Sequence, residues 1–247
     1  MMQVLLNFFR KTPLYPLYRA VMERRARRKH SRRSAAFRRE AVQVLQRFSA
    51  ALDEAQITFW LEFGTLLGYY REHDFISHDC DLDTGAFLED QPKIQAVLEQ
   101  AGFELVRYYN VKDDGGREEC YKHRDMSTTI DIFYFRVEGD VMYCNIFAPL
   151  KNMTFRWNLN RLMPFRTMRV NFPLSDMQQV EFKGVRVLIP MNTDVHLRAQ
   201  YGDDYMTPNP NFGMKDRKNV IYFTYAVPGR SYSPSRERRS PSLRYTR

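Results

Sequence analysis

The chain has 247 residues, of which 44% are hydrophobic and 27% charged, and its net charge is +9. Eighteen Phe and 15 Tyr exclude a wholly disordered chain, and three cysteines exclude a disulfide framework and suit a reducing compartment. The positive charge is confined to the ends: residues 1–39 hold 12 Lys/Arg and one acid, residues 228–247 hold six Arg and one Glu, and the middle is left at −7. A nucleic-acid reader carries its charge on a folded face, so no specific nucleic acid is expected.

Residues 1–35 form a basic N-terminal segment, apolar at Val4, Leu5, Phe8 and Phe9 and then rich in Arg from Arg24 to Arg33. No run of about 18 apolar residues is present, so no membrane-spanning helix is expected. The small-residue cleavage site of a signal peptide is also missing. Two readings stand for this segment. It is a peripheral membrane foot whose Arg side chains meet anionic headgroups, or a solvated basic helix packed on its own domain.

The folded domain is expected over residues 36–227. Phe37, Ala41, Val44, Leu45, Phe48 and Leu52 recur at three and four, which predicts an amphipathic helix over 36–55. Strands are predicted over 57–63 and 81–87, and a helix from Asp90 to a stop at Gly102. Further strands follow over 103–109, 118–124 and 127–137, with a turn at 113–116. Glu138-Gly139-Asp140 turns the chain into a strand over 141–147. Residues 149–176 give few clear signals. Residues 180–190 read as a hairpin turning at Lys183-Gly184, and 192–202 as a short helix ended by Gly202. The Ser/Pro/Arg-rich stretch 228–247 is expected to be a disordered tail.

The segment from Phe63 to Gly85 carries the chemistry. Asp79, Asp81 and Asp83 recur at a spacing of two, which on a strand projects all three carboxylates to one side. Such a set repels itself unless water screens it or a cation sits within it. Mg²⁺ or Mn²⁺, which favour oxygen ligands, are the simplest neutralisers. Gly64-Thr65 ends an apolar strand before a helix-like turn. That turn either offers N–H groups and a hydroxyl to a phosphate or is an ordinary strand-to-helix connection. Asp131 interrupts the apolar strand Thr129-Ile130-Asp131-Ile132-Phe133, and a buried carboxylate needs a cation, a basic side chain or a set of donors. If that strand lies beside 81–87, Asp131 completes a three-carboxylate cage. Cys120 and His123 with Cys144 offer a second, weaker constellation, a zinc site without paired ligand spacing.

Taken together, these residues resemble the LicD/fukutin family. The likeness rests on Gly64-Thr65-Leu66-Leu67-Gly68, Arg71, Asp79-Cys80-Asp81-Leu82-Asp83, Ile130-Asp131-Ile132-Phe133, and the segment 195–208 with its Tyr-Gly and Met-x-Pro. It covers roughly residues 40–212. The resemblance implies an α+β fold, a nucleotidyltransferase-like mixed β-sheet with helices packed mainly on one face. It also implies transfer of phosphocholine or an alditol phosphate from a CDP-activated donor to a hydroxyl of a cell-surface glycan, releasing CMP. On the same resemblance Asp81, Asp83 and Asp131 are ligands of Mg²⁺ or Mn²⁺, Gly64 and Thr65 meet donor phosphates, and Arg71 neutralises phosphate charge. Asp79 is a further acid of the motif, and either Asp79 or Asp131 is the general base.

Two departures from the family pattern stand out. Ser77-His78 replaces a frequent Pro-Trp, and Cys80 a frequent Asp; His78 is read as a surface side chain, and Cys80 as packing that faces away from the acids. The acceptor implied is a lipopolysaccharide, capsule or related glycan, often lipid-linked. That suits a cytoplasmic protein held at the inner face of a membrane. Two other readings are a nucleotidyltransferase that moves an NMP from an NTP, and a basic-tailed RNA- or membrane-binding protein with a degenerate site.

Overall fold

The computed structural model of the protein describes residues 12–111, 115–149, 165–209, 212–213, 216–222 and 229–232. Its helices are α1 (Leu14–Glu54), α2 (Phe63–Glu72), α3 (Gln91–Gln100) and α4 (Thr193–Tyr201). The strands are β1 (Phe59–Leu61), β2 (Asp81–Phe87), β3 (Phe103–Val111), β4 (Arg117–His123), β5 (Thr129–Glu138), β6 (Val141–Pro149), β7 (Phe165–Pro173), β8 (Met177–Phe182), β9 (Val185–Pro190), β10 (Val220–Tyr222) and β11 (Gly229–Tyr232).

All the described strands join one mixed sheet in the order β10-β7-β11-β3-β4-β5-β2-β1-β9-β8, with β6 pairing both β5 and β7. Only β2 with β5 and β1 with β9 run parallel. Because β6 bridges β5 to β7 and β11 bridges β7 to β3, strands β3-β4-β5-β6-β7-β11 close on themselves as a ring.

Strand alternation sorts the side chains into two cores. Leu82 and Ala86 of β2 and Ile130, Ile132 and Tyr134 of β5 face the helices, where Phe37, Val44, Leu45, Phe48 and Leu52 of α1 and Ile94 and Leu98 of α3 are buried against them. The other face buries Trp60, Phe133, Phe135, Met142, Cys144, Met168, Val170 and Phe172. The helices therefore lie mainly on one side of the sheet, as expected, and the acids of β2 and β5 on the other.

Several boundaries differ from the sequence reading. The basic segment and the domain share one helix: α1 runs unbroken for 41 residues across position 35. Val4, Leu5, Phe8 and Phe9 lie outside the described residues, as do part of the 113–116 turn and most of the C-terminal tail. The strand predicted over 57–63 ends at Leu61, and Phe63 already opens α2. Within the stretch that gave few signals, β7 is a full strand. Met168, Val170 and Phe172 are buried on one face and alternate with Arg169 and Asn171, a period-two strand signal that the sequence reading passed over. Gly229–Tyr232, inside the expected tail, pairs with β3 as β11. The hairpin turn falls at Lys183 and Gly184, both with positive φ (54° and 76°), as a two-residue turn between right-twisted strands requires.

Candidate active site

The site is built by register. Parallel pairing sets Asp83 of β2 opposite Asp131 of β5, and antiparallel pairing sets Asp131 opposite Cys120 of β4 and Cys120 opposite Arg107 of β3. Directly opposed residues share a face, so these side chains form one row across four strands. Neighbouring strands lie about 4.8 Å apart, which brings the two aspartates together across 48 positions of sequence. A register shift between Leu105 and Arg107 adjusts β3 so that Arg107 joins the row.

The turn from β1 into α2 fixes the first carboxylate. Gly64 donates its N–H to Asp83 Oδ2 at 3.1 Å, and the Asp83 N–H donates to Thr65 Oγ1 at 2.8 Å. Both residues proposed for donor phosphate are thus engaged with Asp83, and they hold its strand and carboxylate in place. A Cβ on Gly64 would stand 3.2 Å from Asp79 Oδ2 and from Asp83 Oδ2, so those two oxygens lie no farther apart than twice that distance. Phe63 makes the turn with φ of 43°, a strained value for a bulky residue that costs about 1–3 kcal/mol.

A buried network holds that strain. The Glu62 carboxylate caps α2 by accepting the Phe63 N–H at 3.2 Å, accepts Trp60 Nε1–H at 2.9 Å and meets His196 Nε2 at 2.9 Å. His196 in turn stacks on Phe172, with centroids 3.9 Å apart. The histidine is therefore a packed one. The Phe63 ring is pinned edge-on to Phe133 at 4.5 Å.

The charges at the row are unbalanced toward the acids. Burial first, and then the charge of Asp81, raises Asp131 to about 6, against the opposing pull of Arg107. Burial and the neighbouring Asp81 and Glu72 raise Asp79 to about 7. Burial and its three acidic neighbours hold the Asp83 carboxyl well above the usual carboxylate range. A fourth acid, Glu118 of β4, is raised to about 8 by burial and by Asp131, with Arg107 and Arg217 opposing. The sequence reading missed Glu118, Arg107 and Arg217, because only the register of β3 and β4 puts the first two on the acid face.

Arginines partly answer these acids. Arg33 of α1 donates to Asp81 Oδ2 at 2.8 Å, and Arg107 Nη2 lies 3.5 Å from Asp131 Oδ2. Arg217 lies over the Phe63 ring at 4.8 Å, and its Nε and Nη1 are buried without a partner. Arg71 is tied at 2.6 Å to Glu72 and at 3.3 Å to the Tyr205 carbonyl, which brings the 195–208 segment against α2; its charge acts on Asp79.

Two readings of cysteine change. Cys80 lies before β2 and does not turn away from the acids, since its thiol is 3.7 Å from Asp81 Oδ1. The zinc constellation does not form. Cys120 lies on the acid face beside Asp131, whereas His123, three residues on, packs edge-on to Phe103 and bonds Arg47 at 2.9 Å. Cys144 is buried in the second core. His78 is exposed, as expected.

Among the described residues no three acidic, His or Cys side chains stand close enough to form a ready metal shell. The donor set nonetheless fits a hard divalent cation. Asp131 Oδ1 is buried and has no partner, the nearby carboxyls are short of positive charge, and every candidate ligand is an oxygen.

Human ribitol-5-phosphate transferase FKTN is 27% identical over 177 residues, 71% of this chain and 35% of its own length; the mouse protein of that name is 27% identical over 174 residues, 70% of this chain and 34% of its own. The chain thus spans about a third of these relatives. An uncharacterized protein of Rickettsia typhi is 25% identical over 190 residues, 72% of this chain and 61% of its own. Among solved structures, the lincomycin-bound lincosamide antibiotic adenylyltransferase LnuA aligns at a TM-score of 0.36 and 14% identity over 62% of this chain and 78% of that one, too slight a likeness to argue from. The family model described as LicD/FKTN/FKRP, nucleotidyltransferase domain, matches residues 56–192, more than half of the chain and all of the strand pair that carries the acids, and the chain belongs to that family.

Proposed function

We propose that the protein transfers a phosphorylated small molecule, an alditol phosphate such as ribitol phosphate or phosphocholine, from a CDP-activated donor to a glycan hydroxyl, with release of CMP. The observation that carries this reading is the in-register pair Asp83–Asp131, set before the first turn of α2 in a chain of this family. The name of the fukutins, ribitol-5-phosphate transferase, supports the cargo class.

Asp83, Asp131 and Asp81 would hold Mg²⁺ or Mn²⁺, with Asp81 exchanging its bond to Arg33. When bound, the ion supplies positive charge to the donor's diphosphate and to the departing CMP. Arg107 and Arg217 line the same face and present guanidinium groups that suit phosphate oxygens. Thr65, through the Asp83 N–H, keeps β2 in register, and Gly64 keeps Asp83 aimed. Asp79 stands outside the ligand set and beside Gly64, where it takes the proton of the acceptor hydroxyl. The acceptor oxygen bonds to the distal phosphorus as the bond to CMP breaks.

The test is metal-dependent turnover of CDP-ribitol, CDP-glycerol and CDP-choline, read by mass spectrometry with a glycan acceptor. The reading expects CMP release with a phosphodiester product, and loss of at least a hundredfold in Asp131→Asn and Asp81→Asn, which keep size and remove charge. A product carrying an NMP with pyrophosphate release would overturn it in favour of nucleotidyl transfer. Full activity of either variant would overturn the metal-ligand assignment.

A further inference from the structure

The first half of α1 stands clear of the domain. Every residue from Pro16 to Arg33 is exposed, and burial begins at Ser34. Within this half five large apolar side chains stay in solvent, Tyr18 and Met22 toward one flank and, in the middle of the exposed face, Leu14 (62% exposed), Leu17 (65%) and Val21 (44%). The spacing of three and four puts Leu14, Leu17 and Val21 on one helical face, and the same spacing continues into Arg25, Arg28 and Arg32. The face that packs on the domain is a different one. Continued back from Ser34 at 3.6 residues per turn, it falls on His30, Arg27, Glu23, Ala20 and Pro16. The apolar stripe and its line of arginines therefore point to the opposite side of the helix, where no continuation of the core among the described residues reaches them.

We infer that this face is a docking surface for a bilayer rich in anionic phospholipid. Residues 14–33 hold eight Lys/Arg against the single acid Glu23. Leu14, Leu17 and Val21 enter the interface, and Arg25, Arg28 and Arg32 lie along the headgroups, the arrangement of an interfacial helix. A second copy docking through the same face would set these arginines against their own kind, so charge disfavours that occupant. No helix among the described residues is long and apolar enough to cross a membrane, so the contact is peripheral. Arg33, at the end of the surface, bonds Asp81. The acid row thus sits where the helix leaves the bilayer, a position suited to an acceptor embedded in that bilayer. The docking surface stands whether or not the proposed transfer reaction is correct.

The experiment is flotation of the full chain with vesicles of phosphatidylcholine alone and of phosphatidylcholine mixed with phosphatidylglycerol. Two triple variants are compared: Leu14→Ser/Leu17→Ser/Val21→Ser and Arg25→Gln/Arg28→Gln/Arg32→Gln. All six side chains are exposed, and an unchanged melting temperature checks the fold of each variant. The inference expects flotation with the anionic vesicles only. It expects partition lower by on the order of a hundredfold in the arginine variant, and a clear loss in the apolar variant as well. Equal flotation of wild type and either variant overturns it, as does no flotation of wild type. Concentration-dependent dimers abolished by the apolar variant, without vesicle binding, would assign the stripe to a second copy. RNA binding lost in the arginine variant, again without vesicle binding, would assign it to nucleic acid.

Discussion

Glu118 shows how one side chain registers the charge of the whole row. It is buried beside Asp131, and its carboxyl keeps its proton to about pH 8 instead of the ordinary 4.5. The folded protein holds a proton there that the unfolded chain has released. Its contribution to stability is therefore best below about 4.5 and declines as pH rises to about 8. Thermal unfolding in the absence of metal is expected to show the melting temperature falling from pH 5 to pH 8. Glu118→Gln, which removes the titration and keeps the shape, should flatten that fall; an unchanged slope would show that the other acids account for it. Asp79, Asp81, Asp83 and Asp131 were legible in the sequence, because a spacing of two and an acid in an apolar run are local signals. Glu118 and Arg107 were not, because each reads as an ordinary strand residue until the register of β3, β4 and β5 is known. Arg33 was hidden in a run of arginines, and nothing local marks which of them reaches an acid.

At the scale of elements, the junction of β1 with α2 is the part under strain. Phe63 pays its unfavourable φ through the Glu62 network and the ring contacts around it. Glu62→Ala leaves the Trp60 N–H and His196 without their buried partner and is expected to cost about 3–5 kcal/mol, read by denaturant unfolding. A cost near zero would mean that the network does not hold the turn. Gly64→Ala tests the same junction differently. Its backbone tolerates the new Cβ, but that carbon would press on the Asp79 and Asp83 carboxylates at 3.2 Å. The variant should fold with a melting temperature close to that of the wild type and lose activity by about tenfold or more. The strand and the helix start were both visible in the sequence. Their boundary was not, since Phe63 has strong strand propensity and tertiary packing turns it into the helix.

For the molecule as a whole, the helix-covered face followed from the family likeness, whereas the adjacency of the two acid strands stood in the sequence reading only as a condition and their parallel pairing was not foreseen. Closure of the sheet did not follow. It depends on β7, whose alternation of Met168, Val170 and Phe172 with Arg169 and Asn171 the sequence reading passed over, and on β11, whose composition reads as tail. If the acid row holds a divalent cation, Mg²⁺ or Mn²⁺ at about a hundred times its dissociation constant should stabilise the fold by about 2.7 kcal/mol. That shift should appear in a thermal melt and vanish in Asp83→Asn; no shift in the wild type would count against the ligand set. One further consequence concerns β11. Among the described strands it is the seam of the ring, the one that joins β3 to β7. A chain cut after residue 228 would be left with one raw hem, the row of β3 amides at residues 108–111 that β11 had covered, open to a neighbouring molecule, while β7 keeps β6 and β10. Such a truncation should therefore self-associate in light scattering at concentrations where the intact chain does not, although every proposed catalytic residue is still present.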